Sequence, residues 1–141
     1  VVRCVPENEV AYHASKANSH SIGVEVCHPD WSGKPTQKAH ESLVSLLVEL
    51  CKKYNLEPTR AIIRHYDVTG KTCPKYYVED VGAFKKLKEE VKGKMKEDKE
   101  LVEAVKVLQK KGVISSPEVW INGVYTRDNV RSLILKLSYT L

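Results

Sequence analysis

The stretch 61–74 concentrates the side chains of this chain that could do chemistry. It reads Ala-Ile-Ile-Arg-His-Tyr-Asp-Val-Thr-Gly-Lys-Thr-Cys-Pro, and it offers an imidazole at His65, an ammonium at Lys71 and a thiol at Cys73. Imidazole nitrogen and thiolate sulfur are ligands that suit Zn²⁺. The pattern alone leaves two interpretations open: a metal site, or a hydrogen-bonded structural histidine that happens to precede a cysteine.

A second candidate is Glu25, within the segment Ser21-Ile-Gly-Val-Glu-Val-Cys27. Apolar residues alternate here with others, so Ile22, Val24 and Val26 are predicted to share one face of a strand, with Glu25 on the opposite face. A strand glutamate usually faces water, but it can also line a site. Both interpretations stay open at this point.

A third candidate is His13, in Ala11-Tyr-His-Ala14, just before a polar loop. A histidine in this position either lines a groove or is an ordinary exposed side chain.

The elements that must position these residues predict an α/β fold. Strands are expected at 1–5, 22–26 and 61–64, with a helix from Thr36 to Tyr54 as the crossover between the last two. A further helix after Pro74 would cover the other face, giving a central mixed β-sheet with helices on both faces. Functional sites in such sheets gather at the carboxyl ends of strands, and His65 is predicted to lie at one.

The chain is expected to continue, after a linker or weakly held helix at 93–98, into a small C-terminal helical module at 99–141. Apolar stripes run from Leu101 to Leu108 and from Val130 to Leu137. So few residues would be marginally stable alone, so the module is expected to pack on something. The candidates for this contact are the preceding domain of the same chain, a second copy of the chain, or a bacterial wall, and docking to protein is favoured.

Composition narrows the function classes. The 141 residues are 42% hydrophobic and 29% charged, which is typical of a globular protein, and no apolar run is long enough for a membrane span. The formal charge of +5 indicates either a polyanionic partner or a solvated helix face. Four scattered cysteines do not form a disulfide scaffold. The chain begins inside a predicted strand and shows no signal peptide, so further sequence is expected upstream.

Three motifs taken together resemble the zinc-dependent N-acetylmuramoyl-L-alanine amidases of the type 2 amidase family, related to the peptidoglycan recognition proteins. They are Ala11-Tyr-His-Ala14, Ser21-Ile-Gly-Val-Glu25, and Ile63-Arg-His-Tyr followed by Gly70-Lys-Thr-Cys-Pro74. They occur in the family's order and with its spacing. The similarity covers roughly residues 1–92, which are therefore identified as an amidase-like catalytic domain.

The resemblance also implies roles for individual residues. His65 and Cys73 match two zinc ligands, Lys71 matches the basic residue beside the site, and Glu25 matches the catalytic glutamate. His13 matches a substrate-binding histidine on the wall of the groove. The family's first zinc histidine has no match in this chain, so it is expected upstream of Val1, and the domain is expected to be incomplete at its N-terminus.

The implied reaction is hydrolysis of the amide between N-acetylmuramic acid and L-alanine in peptidoglycan, by zinc-activated water. The protein would act on the bacterial cell wall, as a secreted autolysin or a phage lysin. The nearest alternative is a non-catalytic peptidoglycan-binding module of the same fold. A nucleic-acid binder rests on charge alone, and no nucleic acid is expected as a partner.

Overall fold

The computed structural model describes residues 1–121 and 123–139, without the side chains of 97 and 98. A short 3-10 turn, Ser15–Ala17, precedes the helices. These are α1 (Gln37–Lys53), α2 (Pro58–Ala61), α3 (His65–Thr69), α4 (Lys75–Glu79), α5 (Val81–Lys110), α6 (Pro117–Ile121) and α7 (Arg127–Ser138).

The predicted mixed β-sheet is wrong: the described residues contain helices and irregular segments but no strand. Residues 22–27 belong to no helix or strand, and none of their backbone groups forms a backbone–backbone hydrogen bond within the described part of the chain. An alternating pattern can specify extended conformation and two faces, but a strand also needs a second backbone at ladder distance. No described segment supplies one, so the predicted central sheet is absent.

The helix predicted from Thr36 to Tyr54 is α1, and both of its ends agree with the prediction. Thr36 caps α1, since its hydroxyl oxygen accepts from the backbone N–H of Ala39 over 3.2 Å. After the helix, Asn55 adopts a left-handed conformation with φ of 52°. The buried stripe consists of Leu43, Val44, Leu47, Val48 and Cys51.

Three further apolar residues recur at helical spacing but lie outside this stripe. Leu46 and Leu50 are only half-buried, and Tyr54 is 43% exposed. A helix with apolar residues over a wide arc can turn any part of that arc inward, so packing partners decide which part is buried. Elsewhere in residues 1–93 the buried residues are Ala14, Ala17, Pro58, Tyr77 of α4, and Phe84, Leu87 and Val91 of α5.

The chain divides into two compact units, Val1–Gly93 and Lys94–Leu141. The stretch 93–98, for which a linker or a weakly held helix was predicted, is helical, because α5 runs through it. In the second unit Val105, Val113 and Ile114 form the core.

Partly buried residues of α5, α6 and α7 pack against that core; they are Leu108, Trp120, Ile121, Leu133 and Leu137. Helix α7 is capped by Thr126, whose hydroxyl oxygen accepts from Asn129 N over 3.2 Å. Among the described helices, none combines the length and apolar character needed to cross a membrane.

Candidate functional site

Arg64, the residue before α3, anchors that helix. The backbone N–H of Arg64 donates to Asp67 Oδ2 over 2.8 Å, and the guanidinium Nη2 of Arg64 lies 2.6 Å from Asp67 Oδ1. Nη1 donates to the carbonyl oxygen of Tyr77 over 3.0 Å, and the guanidinium carbon lies 4.9 Å from the centre of the Phe84 ring. The hydrogen bond from Arg64 holds the pKa of Asp67 below its usual range. These contacts fasten the start of α3 to α4 and α5.

Sequence reasoning missed this role of Arg64. The signal available was the Arg-x-x-Asp spacing, which brings both side chains to one side of a helical turn.

His65 begins α3, which corrects its predicted place at the end of a strand. Gly70 ends the helix with φ of 77°, and the chain then turns back. The backbone N–H of Tyr66 donates to the carbonyl oxygen of Cys73 over 2.9 Å. This bond brings the backbone of Cys73 to the first turn of α3, so the segments that carry the predicted imidazole and thiol ligands adjoin each other. The side chains of His65 and Cys73 are both half-buried.

His13 is held inside a small cradle of hydrogen bonds. Its Nδ1 lies 2.9 Å from the carbonyl oxygen of Ala11, and its Nε2 lies 2.9 Å from Ser21 Oγ. The Ser21 hydroxyl in turn donates to the carbonyl oxygen of Ala17 over 2.7 Å. The 15–17 turn inside this loop packs against α3. The loop that carries His13 therefore adjoins the helix that carries His65.

Glu25 and Lys71 are exposed. Within the described residues, no hydrogen bond or ion pair joins either side chain to His65 or Cys73. The structure thus brings together the segments of His13, His65 and Cys73. Lys71 belongs to the segment of Cys73, whose N–H donates to the Lys71 carbonyl oxygen over 2.7 Å, and Glu25 follows Gly23, which lies against the His13 ring.

The donor types at this place fit zinc, but their number does not complete a site. Imidazole and thiolate are common zinc ligands, and a catalytic zinc site has three protein ligands with water in the fourth position. In the described part of the chain, no three His, Cys, Asp or Glu side chains cluster as a metal site would require. His65 and Cys73 could therefore supply two ligands of such a site.

The other three histidines have contacts of their own. His20 Nδ1 lies 3.4 Å from Ser19 Oγ, His28 Nδ1 lies 2.7 Å from the carbonyl oxygen of Asp30, and His40 Nε2 lies 2.8 Å from Glu90 Oε2. His40 lines an open cleft of about 270 Å³, as do Tyr76 and Tyr77. Burial raises the pKa of Tyr77 to about 12.

An imidazole and a thiol on adjoining backbone, with an ammonium group on the intervening loop, are side chains suited to metal-assisted hydrolysis. Residues 1–76 match the Amidase_2 family, described as N-acetylmuramoyl-L-alanine amidase. This match covers more than half of the chain, and the chain belongs to that family. All five predicted site residues lie within the matched range.

Curated relatives agree with the family. The N-acetylmuramoyl-L-alanine amidase BlyA of Bacillus subtilis (strain 168) is 37% identical over 111 residues, covering 64% of this chain and 30% of BlyA. The N-acetylmuramoyl-L-alanine amidase CwlL of Bacillus licheniformis is 41% identical over 88 residues, covering 54% of this chain and 24% of CwlL. The chain thus spans less than a third of the length of these relatives. No solved structure matches the chain significantly.

Proposed function

We propose that this chain hydrolyses the amide bond between N-acetylmuramic acid and L-alanine in bacterial peptidoglycan. The observation that carries the proposal is the family match over residues 1–76, which contains Glu25, His65, Lys71 and Cys73 in the spacing of the motifs described above. The names of BlyA and CwlL, both N-acetylmuramoyl-L-alanine amidases, support the same reaction. The protein would act at the bacterial wall, as a secreted autolysin or a phage lysin.

Zinc is proposed as the cofactor, with His65 and Cys73 as two of its ligands. Support comes from the donor types and from the Tyr66–Cys73 backbone bond, which holds the two segments together. The histidine predicted before Val1 would be the third ligand. When bound, zinc lowers the pKa of a coordinated water to about 7, so that hydroxide is available near neutral pH.

Glu25 is proposed as the general base and acid. Its carboxylate would take a proton from the attacking water as the water oxygen bonds to the carbonyl carbon of the lactyl group. The same proton would pass to the nitrogen of L-alanine as the carbon–nitrogen bond breaks, leaving a carboxylic acid and an amine. The second proton of the water stays on the new carboxyl group, and its transfer to the amine gives the carboxylate and ammonium products. An exposed carboxylate, as Glu25 is, can be reached by a large polymeric substrate.

Lys71 is proposed to stabilise the negative charge that develops on the carbonyl oxygen during attack. It lies on the exposed loop between Gly70 and Cys73, so its ammonium can reach a substrate bound beside α3. His13 stays a predicted substrate-groove residue. Since both of its ring nitrogens lie within hydrogen-bond distance of protein oxygens, its polar edge is already occupied.

The reaction can be tested on purified peptidoglycan with the full-length protein. An amidase releases the amino group of L-alanine without creating new reducing sugar ends. A chelator should abolish the release, and added zinc should restore it. New reducing ends, or release that persists without metal, would contradict the proposal.

The second candidate is a non-catalytic peptidoglycan-binding module of the same family. It would sediment with cell walls and release no amino groups at all. A nucleic-acid partner is not proposed, because it rests on net charge alone; binding of that kind would weaken steeply as salt rises.

Residues 99–141 are proposed to bind a partner, either a second copy of the chain or the wall. Exposed apolar side chains support this: Val124 is 66% exposed, Ile134 60% and Tyr139 85%. Apolar surface of this kind is common at binding sites.

A further inference from the structure

We propose that His13 is a positioning residue whose ring fixes the backbone of residues 21–25 and so holds Glu25 in place at the reacting amide. The inference deepens the proposed function and rests on it for the role of Glu25. It assigns to His13 a function within the protein instead of a polar contact with substrate.

The first observation is the contact between the His13 ring and Gly23. A Cβ at position 23 would lie 2.7 Å from His13 Cγ and 2.9 Å from His13 Cδ2, closer than real side chains approach each other. The imidazole therefore occupies the space that a side chain at position 23 would fill. The close approach of the ring, and not the backbone conformation, is what requires glycine at position 23. The φ angle of Gly23 lies outside the left-handed range, so another residue could adopt its backbone conformation.

The second observation is that the ring is held at both ends. A carbonyl oxygen can only accept, so Nδ1 donates to Ala11 O over 2.9 Å. At the other end Nε2 lies 2.9 Å from Ser21 Oγ, and the single hydroxyl proton of Ser21 can be donated either to Nε2 or to Ala17 O, which lies 2.7 Å from Oγ. Each ring nitrogen therefore lies within hydrogen-bond distance of a protein oxygen, which orients the ring against Ser21 and Gly23.

The third observation concerns the backbone around His13. Asn18 Oδ1 accepts from the N–H groups of both His13 (3.0 Å) and Ala14 (2.7 Å), which closes the loop beneath the ring. Ala14 and Ala17 are buried at 7% and 4% exposure, so this loop is a packed support.

The fourth observation is that Glu25 lacks its own anchor. In the ranges the structure describes, its carboxylate has no hydrogen bond or ion pair, and residues 22–27 pair with no strand. The position of Glu25 must then come from its backbone. The His13 ring contacts that backbone at Gly23, two residues before Glu25. A general base displaced by about 1 Å can lose about 100-fold in rate, so such a grip matters for catalysis.

The test is steady-state kinetics on soluble peptidoglycan fragments with the full-length protein. His13→Ala should lower kcat by about 10- to 100-fold while KM stays within about twofold, because ground-state binding is not its role. Gly23→Ala should do the same, since its methyl group collides with the ring. Gly93→Ala is the matched control, because a Cβ there meets no atom within 4 Å.

Two further variants separate positioning from general loss of structure. His13→Gln places an amide near the Nε2 position, can keep the bond to Ser21, and should recover part of kcat. In the double variant of His13→Ala with Gly23→Ala, the new methyl group occupies the space that the ring has left. The decrease in log kcat of the double variant should therefore be well below the sum of the decreases of the two single variants.

A readout that does not depend on activity completes the test. Backbone NMR order parameters of residues 21–25 should be lower in His13→Ala than in wild type, with those of α1 unchanged. A raised KM with wild-type kcat would overturn the proposal in favour of substrate contact, and unchanged kcat with unchanged order parameters would overturn it outright. A wild-type protein that binds zinc yet cleaves no amide would instead refute the proposed function, whatever the order parameters.

Discussion

The backbone N–H of Tyr66 donates to the carbonyl oxygen of Cys73 across 2.9 Å. The bond satisfies an N–H group in the first turn of α3 that has no partner within the helix. It also returns the loop to the helix, so that Cys73 comes back beside the residue after His65. One backbone contact thus joins the two segments that carry the proposed metal ligands.

Cys73→Ser should lower zinc content several-fold at limiting zinc, because a hydroxyl is a much poorer zinc ligand than a thiolate. Metal content would be measured by atomic emission on protein dialysed against limiting zinc. Cys27→Ser is the matched control, since Cys27 is an exposed thiol outside the site. Full zinc occupancy in Cys73→Ser would remove Cys73 from the ligand set.

Lys71→Ala should leave zinc content unchanged and lower kcat by about 10- to 100-fold, as expected for loss of one group that stabilises an oxyanion. Amino-group release and metal content would be measured on the same preparation. Lys38→Ala, an exposed lysine in α1, serves as the control for lost charge. If Lys71→Ala lost its metal, Lys71 would instead be needed for the shape of the loop.

Glu25→Gln should keep zinc and lose about 100-fold or more in kcat, because the amide cannot take up the proton of the attacking water. Glu103→Gln, at an exposed position of α5, is the control. The assay is release of L-alanine amino groups. Turnover near that of wild type in Glu25→Gln would refute the assignment.

The ion pair between Arg64 and Asp67 should make the stability of the N-terminal unit, Val1–Gly93, depend on pH. The pKa of Asp67 is lowered in the folded protein by its hydrogen bond to Arg64. The stabilisation is therefore fully present above the unfolded pKa of about 3.9, and it is lost as pH falls through the lower folded value.

Asp67→Asn should accordingly lower the free energy of unfolding by about 1 kcal/mol at neutral pH. As pH falls below the unfolded pKa of about 3.9 the difference from wild type should shrink, and it should vanish once pH is below the lower folded pKa, where Asp67 is protonated in both states. Urea unfolding at neutral pH and in acid would measure it. A deficit of the same size at both would show that the charge of Asp67 is not responsible.

Ile134→Glu should weaken association of the C-terminal unit without unfolding it, because Ile134 is 60% exposed. Sedimentation velocity would show a lower mass if a second copy is the partner, and co-sedimentation with cell walls would fall if the wall is. Gln109→Glu adds the same charge at another exposed helical position of this unit. Unchanged mass together with unchanged wall retention would count against a binding role for this face.

Local features were predicted well from the sequence. The start of α1 at Thr36 is one example, because a cap depends on a side chain and an N–H three residues away. The family is another, since His65, Lys71 and Cys73 lie in one short motif whose spacing is visible without any structure. The roles assigned to these residues remain predictions.

The sheet was predicted wrongly for a physical reason that segment 22–26 illustrates. Its burial does alternate in part: Val24 and Val26 are half-buried, whereas Glu25 is exposed. Ile22, predicted to share the face of Val24 and Val26, is 41% exposed, so the pattern matches the burial at two of its three apolar positions. It could not specify a partner strand, which has to come from a distant part of the chain.

The sequence by itself determined the residues available for chemistry, the family, and the ends of α1, because each depends on neighbours a few positions apart. Only the tertiary structure decided that the ring of His13 occupies the space above Gly23 and that Arg64 reaches Tyr77. Contacts of this kind join segments eight or more residues apart. They depend on how loops close and pack around a core, and neither periodicity nor motif spacing encodes that closure.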